Sequence, residues 1–92
     1  MTTAQAETLA LQALGWMAAQ DGLLQVFLGA SGLSERDLRT QANDPDLLAA
    51  VLDFLLMDDG WITGFCDDVR RPYPDVAAAR AALPGGAHVH WT

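Results

Sequence analysis

The 92-residue sequence contains no lysine, and all of its basic side chains are five arginines. Twelve aspartates and glutamates outnumber them, so the formal net charge at pH 7 is −7. Nucleic-acid-binding proteins use basic side chains to neutralise phosphates, and anionic membrane surfaces attract basic segments. We therefore expect neither nucleic acid nor a membrane as a partner, whereas a basic partner would be attracted. The acidity also has a simpler interpretation, because it would keep a small and very apolar domain soluble.

Cysteine is nearly absent as well, because Cys66 is the only one in the sequence. A single cysteine excludes a disulfide within the chain. Cys66 lies beside Phe65 on an apolar stripe that continues to Val69, and a thiol buried in such surroundings is unreactive. We interpret it as a core residue.

Long apolar segments are also lacking. The longest nearly apolar run, Leu47 to Met57, is too short to span a bilayer and is interrupted by Asp53. The first seven residues show neither the positive charge nor the apolar block of a signal peptide. We expect a cytoplasmic protein.

Hydrophobic residues make up 51% of the chain, which is high for a single small domain. Their spacing is helical up to the segment Ala87 to Thr92, which has no periodicity, and no sustained two-residue alternation indicates a strand. Capping residues divide the sequence repeatedly, and the predicted helix starts are Thr2, Asp21, Ser34, Asp44, the triplet Asp58-Asp59-Gly60 and Asp75. The sequence predicts an all-α fold, a single-domain bundle of five to six helices.

The helix predicted from Pro45 to Met57 is apolar on nearly every side. Helices of this kind are usually surrounded by other helices. We therefore expect it to lie at the centre of the bundle.

An internal duplication is suggested by two Asp-Gly pairs, at 21–22 and 59–60, that lie 38 positions apart. Apolar residues around the pairs match at the same offset. Shared helical periodicity explains the leucines, but it does not require Asp-Gly at equivalent places. We predict a helical domain over 1–86, with halves of about 2–42 and 44–83 as two three-helix units, followed by a tail over 87–92.

Several segments together resemble a known family: Ala6 to Leu14, Ala49 to Leu56, Asp58-Asp59, Phe65-Cys66 and Ala79 to Gly85. In these segments the chain resembles the bacterial domain-of-unknown-function family 3572, up to about Gly86. The resemblance implies a small helical intracellular protein of bacterial origin. It implies no reaction, no cofactor and no catalytic residue.

Residues with reactive side chains are few, and no nucleotide-binding, hydrolase or zinc-protease motif occurs. The paired aspartates are well explained as helix caps and surface residues. An alternative function is small-molecule or metal binding by aspartates such as Asp58 and Asp59, together with Cys66 and the tail residues His88 and His90. A structural zinc site needs four ligands, and only three nitrogen or sulfur ligands are present. We therefore do not expect an enzyme, a cofactor or a resident metal.

The apolar excess favours a protein-interaction module or a homo-oligomer, because spare apolar surface usually marks a contact. Leu11 and Leu14 widen the apolar stripe of the first helix, which makes them candidates for that surface. Trp91 lies beyond the last predicted helix. It either folds back onto a helix or remains exposed and binds a partner, and we include it with Leu11 and Leu14 as a possible interaction residue.

Overall fold

Six α-helices follow one another in the computed structural model, which describes residues 1–84. They are α1 (Thr3–Ala19), α2 (Leu23–Ser31), α3 (Glu35–Gln41), α4 (Pro45–Leu55), α5 (Asp59–Val69) and α6 (Pro74–Ala81). No strand occurs within this part of the chain, and none of the six helices is long and apolar enough to cross a membrane. The predicted all-α fold is confirmed.

Side-chain caps begin four of the helices where the sequence predicts them. At α1, the Thr2 hydroxyl accepts a hydrogen bond from the Gln5 amide while the Gln5 side chain accepts one from the Thr2 amide. Ser34 forms the same reciprocal arrangement at α3. The carboxylates of Asp44 and Asp58 cap α4 and α5. Each such cap is worth about 1 kcal/mol, because it satisfies amide groups that have no partner within the helix.

Three predicted helix boundaries are wrong by one or two residues. The N-cap of α2 is Gly22 and not Asp21, because the chain turns there with φ of 77°, a left-handed conformation that favours glycine. The central helix α4 ends at Leu55 and not at Met57. The last helix begins at Pro74 and not at Asp75, because the fixed φ of proline suits the first turn of a helix.

The core is organised around α4, as its apolar sequence predicts. Seven of its eleven residues are buried: Leu47, Leu48, Ala49, Val51, Leu52, Phe54 and Leu55. The helix packs against α1, α2, α5 and α6. Burying a leucine or phenylalanine side chain contributes about 1.5–3 kcal/mol, so α4 is the main source of hydrophobic stabilisation.

The first helix packs against α4 and α6 through small side chains. Ala6, Ala10 and Ala13 are fully buried on one face of α1, and Ala79 is buried on α6. The distance between packed helices depends on the side chains at their contact, so alanines allow a close approach. α1 and α4 therefore pack closely together.

The two Asp-Gly pairs occupy different places in the fold. Gly22 is the residue before α2, whereas Asp59 and Gly60 are already the first residues of α5. Each predicted half does contain three helices. The internal duplication stays a prediction, and the predicted tail over 87–92 lies outside the described residues.

Candidate functional site

An open cleft of about 310 Å³ lies between α2 and α4. Its walls are mostly apolar and consist of Phe27, Ala30, Ser31, Ala50, Asp53, Phe54 and Met57. Ala50, Asp53 and Met57 are spaced by three and four residues, so they lie along one side of the α4 segment. The Met57 side chain is 74% exposed. It projects from the turn after α4 because that helix ends two residues earlier.

A second depression, of about 440 Å³, lies between the end of α1, the start of α2 and the start of α5. It is lined by Trp16, Gln20, Asp21, Gly22, Leu23, Val26 and Trp61. Trp16 and Trp61 are half-buried, and Val26 is 52% exposed. The sequence places both tryptophans on core-facing stripes. The structure shows that each presents part of its ring to this depression.

The rings of Phe54 and Trp61 join the two clefts. They are stacked, with centroids 4.5 Å apart and an angle of 22° between the planes. Phe54 also packs against Phe27 in an edge-to-face arrangement, with ring centroids 5.3 Å apart. Such aromatic contacts add about 0.5–1.5 kcal/mol beyond the area they bury, so they fix the shape of this surface. We call the following residues the aromatic strip: Trp16, Val26, Phe27, Phe54, Met57 and Trp61. Phe27 and Phe54 form its buried floor, Trp16 and Trp61 are half-buried, and Val26 and Met57 are exposed.

Carboxylates border the aromatic strip at two points, and two more are adjacent to it in the sequence. Asp21 lines the second depression, and Asp68 accepts a hydrogen bond from the Trp16 indole over 2.7 Å. Asp58 and Asp59 lie in sequence between Met57 and Trp61, and both are exposed. Within residues 1–84, no arginine lines either cleft. The surface is therefore apolar with an acidic rim.

The carboxylate of Asp53 differs from the rest of that rim, because it is already paired. The Arg80 guanidinium donates to it over 2.6 Å and also donates to the Pro84 carbonyl over 2.9 Å. The Asp53 side chain is 25% exposed and the Arg80 side chain 16%. This ion pair neutralises the only carboxylate that the described residues contribute to the wall of the first cleft.

A larger polar cleft of about 500 Å³ lies between α1 and α6. Its only basic side chain in the described chain is Arg71, which donates to Gln12 over 2.8 Å and pairs with Asp75 at 3.6 Å. The Arg71 guanidinium, the group in this cleft that would bind an anion, is therefore already bonded within the chain. The aromatic strip is therefore the stronger candidate for a binding surface.

Leu11 and Leu14, two of the residues predicted to form an interaction surface, do not belong to the aromatic strip. Leu11 is 40% exposed on α1, while Leu14 is half-buried and packs against the core. Neither lines one of the two clefts that the strip joins. Trp91 lies outside the described residues. A contact through Leu11 and Leu14 stays a prediction.

The alternative site does not assemble in the described part of the chain. No group of three or more histidine, cysteine, aspartate or glutamate side chains is placed there to hold a metal ion. Asp58 uses its carboxylate to accept from the Gly60 and Trp61 amides. His88 and His90 lie outside the described residues, so the part of this hypothesis that depends on them stays a prediction.

Cys66 is fully buried, as its apolar stripe predicts. Burial raises the pKa of its thiol, and the negative charges of Asp75 and Asp67 raise it further, while Arg71 acts in the opposite direction. The sulfur lies 3.8 Å from the Pro72 carbonyl oxygen, its one hydrogen-bond partner among the described residues. A protonated and buried thiol is a poor nucleophile.

Sequence reasoning missed Val26 and Met57, the two most exposed members of the strip. One signal was present in α2, where Leu23, Leu24 and Val26 to Leu28 place five apolar residues in six positions. A surface helix buries one face, so one of these side chains had to remain exposed. The exposure of Met57 depends on where α4 ends, which helical periodicity alone does not determine.

Comparison with known proteins identifies the family. The model of the family described as "Protein of unknown function (DUF3572)" matches residues 3–86. The chain belongs to this family. The resemblance seen in the sequence is thereby confirmed, and the DUF3572 match spans all six helices. Searches of curated proteins and of solved structures gave no match.

Proposed function

We propose that this DUF3572 protein is a small non-enzymatic interaction module, and that the aromatic strip is its binding surface. The observation that carries the proposal is the continuity of the strip, in which the stacked rings of Phe54 and Trp61 connect two clefts. Exposed apolar side chains border it at both ends, with Val26 at one and Met57 at the other. Contiguous apolar patches edged by polar residues typically mark contact sites.

The state of the reactive side chains supports a non-enzymatic role. The Cys66 thiol is buried, and the carboxylates of Asp44 and Asp58 cap helices. Asp67 and Asp68 accept hydrogen bonds from Tyr73 and from the Trp16 indole. Each of these groups therefore has a structural role. A cytoplasmic location belongs to the same proposal, because a lone free cysteine suits a reducing compartment.

Site-specific photocrosslinking in the native host tests the proposal. A photoreactive phenylalanine analogue is introduced singly at Met57, Val26 or Ala77, and the products are identified by mass spectrometry. Met57 and Val26 are exposed on the strip, whereas Ala77 is exposed on α6, which lines neither of its clefts. We expect Met57 and Val26 to crosslink to the same protein, or to a second copy of the chain, and Ala77 to give no such product.

The opposite results are equally clear. Failure of both strip positions to crosslink would overturn the proposal, and so would identical products from Ala77. Leu11 makes a useful fourth position, because it is exposed on α1 and belongs to the surface predicted from the sequence. Crosslinking from Leu11 but not from Met57 would move the binding surface to the first helix.

A further inference from the structure

Resting on the proposed function, we propose that the aromatic strip binds an amphipathic helix of a partner protein whose polar side carries arginine or lysine. The inference combines the apolar surface with the charge around it. It names one class of partner, a basic helix of another protein, and it excludes a second copy of the chain.

Charge complementarity selects the basic partner. Asp21 lies in the wall of the second depression, and exposed Asp59 lies in sequence between Met57 and Trp61. Asp68 is hydrogen-bonded to Trp16, so a further carboxylate borders the strip there. Complementary charges around an apolar centre orient a partner and speed its association. Arginine and lysine can also cover apolar surface with their methylene groups while their charges reach a carboxylate.

The same charges disfavour a second copy of the chain. In a twofold dimer, the same patch of each copy faces its counterpart. A dimer through the strip would therefore bring its acidic rims together, and each chain carries a net charge of −7. Like charges opposed across an interface are unfavourable. The rim thus favours a different protein with the opposite charge.

The shape of the surface selects a helix. Partners in extended conformation usually add to an exposed sheet edge, and residues 1–84 contain no strand. The strip instead runs beside α2 as two open clefts joined by the Phe54–Trp61 stack, in which Phe54 is buried and Trp61 half-buried. Helical ligands fill such grooves with apolar residues spaced by three, four and seven positions. A helix of about 18 residues is about 27 Å long, which is comparable with the 29 × 27 × 26 Å dimensions of the fold.

Designed peptides provide the test, with the full chain as the receptor. The first peptide is an 18-residue helix with leucines along one side and arginines elsewhere. The second keeps the leucines and has glutamates in place of the arginines. The third has the composition of the first in an order that spreads the leucines around the helix. Binding is measured by calorimetry at low and at moderate salt, and amide NMR shifts locate the contact.

Exposed residues supply variants that leave the core intact. Val26→Gln and Met57→Gln change the strip, and Leu11→Gln is the matched control on α1, since all three side chains are at least 40% exposed. Asp21→Asn and Asp59→Asn each remove one rim charge, and Glu7→Gln removes one charge from α1, away from both clefts. Circular dichroism confirms the fold of every variant.

We expect only the arginine amphipathic peptide to bind, with NMR shifts at the strip and an affinity that falls as salt is added. Val26→Gln and Met57→Gln should each weaken binding about tenfold, as expected when an exposed apolar side chain that the partner would bury becomes polar. Asp21→Asn and Asp59→Asn should weaken it about two- to fivefold, as expected for exposed ion pairs. Leu11→Gln and Glu7→Gln should leave the affinity unchanged.

Several outcomes would overturn the inference. Equal binding of the glutamate peptide would remove the charge selection, and equal binding of the scrambled peptide would remove the helical selection. Sedimentation showing a dimer that Met57→Gln dissociates would make the occupant a second copy. In these cases the proposed function survives, because the strip still binds protein. Absence of peptide binding together with absence of crosslinks from Met57 and Val26 would overturn both.

Discussion

Gly64 lies directly against the indole of Trp16, so closely that a Cβ atom at residue 64 would be 3.1 Å from the ring carbon Cζ2. The ring has little freedom to move, because Asp68 accepts its N–H and Phe65 contacts it edge-on. This is where α5 approaches α1. A glycine in the middle of a helix costs about 1 kcal/mol relative to alanine, so its presence here calls for a steric reason.

We predict that Gly64→Ala lowers the free energy of unfolding by up to about 2 kcal/mol. Crowding the tryptophan should cost about 1–3 kcal/mol, and the better helix propensity of alanine returns about 1 kcal/mol of it. Gly15→Ala is the control, because Gly15 lies in the middle of α1 with no atom near its missing Cβ. It should raise stability by about 0.5–1 kcal/mol. Urea denaturation measures both, and an equal gain for the two variants would contradict the close contact.

Tyr73 offers a second prediction, because it is the only tyrosine in the chain. Its hydroxyl donates to Asp67 over 2.7 Å. That hydrogen bond, followed by the negative charge of Asp67, raises the pKa of the phenol above its ordinary value of 10.0. We expect the absorbance titration at alkaline pH to have a higher midpoint in the native protein than in urea. Asp67→Asn should lower the native midpoint.

The sign of the linked stability change follows from the same shift. Because the native pKa of Tyr73 is raised, its contribution to stability is fully present below the pKa of the unfolded chain and is lost as pH rises through the native pKa. Asp68→Asn is the matched control, since the neighbouring carboxylate bonds to Trp16 instead. It should leave the tyrosine titration unchanged. Identical midpoints in native and unfolded protein would show that the Tyr73–Asp67 hydrogen bond does not persist in solution.

Local chemistry accounts for how much of the fold could be predicted. Capping by Thr2, Ser34, Asp44 and Asp58 depends on neighbouring residues alone, and those helix starts are confirmed. Gly22 was harder to place, because either residue of an Asp-Gly pair can precede a helix. Helix caps and helical periodicity both depend on residues that are close together in the sequence.

The candidate site was less predictable, because it depends on contacts between distant segments. Phe54 and Trp61 stack across the turn between α4 and α5, while Trp16 reaches the same surface from α1. Helical periodicity places each of these side chains on an apolar stripe, but it does not show which of their atoms remain exposed to solvent. Only the packing of α2 beside α4 shows that Val26 and Met57 border a common surface.

Arg70 is the only residue other than glycine with a positive φ between residues 1 and 84, at 59°. It forms the C-cap of α5, a position that glycine occupies most easily. A residue with a side chain loses about 1–2 kcal/mol of stability in the left-handed conformation, and glycine avoids this loss. The greater freedom of glycine in the unfolded chain removes about 0.5–1 kcal/mol of that gain. We therefore predict that Arg70→Gly raises the free energy of unfolding by up to about 1 kcal/mol.

Arg71→Gly is the control for that variant, because it removes the same charge from the next residue. Arg71 lacks a positive φ, and its guanidinium bonds to Gln12 and pairs with Asp75. Arg71→Gly should therefore lower the free energy of unfolding, whereas Arg70→Gly should raise it. Chemical denaturation measures the free energy of unfolding of both variants. A loss of stability in Arg70→Gly would mean that the Arg70 side chain stabilises the fold by more than its left-handed backbone destabilises it.

The Asp53–Arg80 pair gives the last prediction, because it joins α4 to α6 beside the first cleft. A double-mutant cycle with Asp53→Asn and Arg80→Gln should yield a coupling energy of about 1 kcal/mol, at the upper end for ion pairs of limited exposure. The comparison cycle uses Arg71 and Asp75, which are more exposed and separated by 3.6 Å, and should yield about 0.2–0.5 kcal/mol, the lower part of the range for exposed ion pairs.

Equal coupling energies would show that the 2.6 Å contact of Arg80 with Asp53 brings no additional stability. A larger value for Asp53 and Arg80 has a consequence for binding. An arginine on a partner helix would then have to compete with Arg80 for the Asp53 carboxylate, whereas Asp21 and Asp59 lie on exposed turns and helix starts. Asp53→Asn should therefore change the affinity for the arginine peptide less than Asp21→Asn or Asp59→Asn, although it affects stability more.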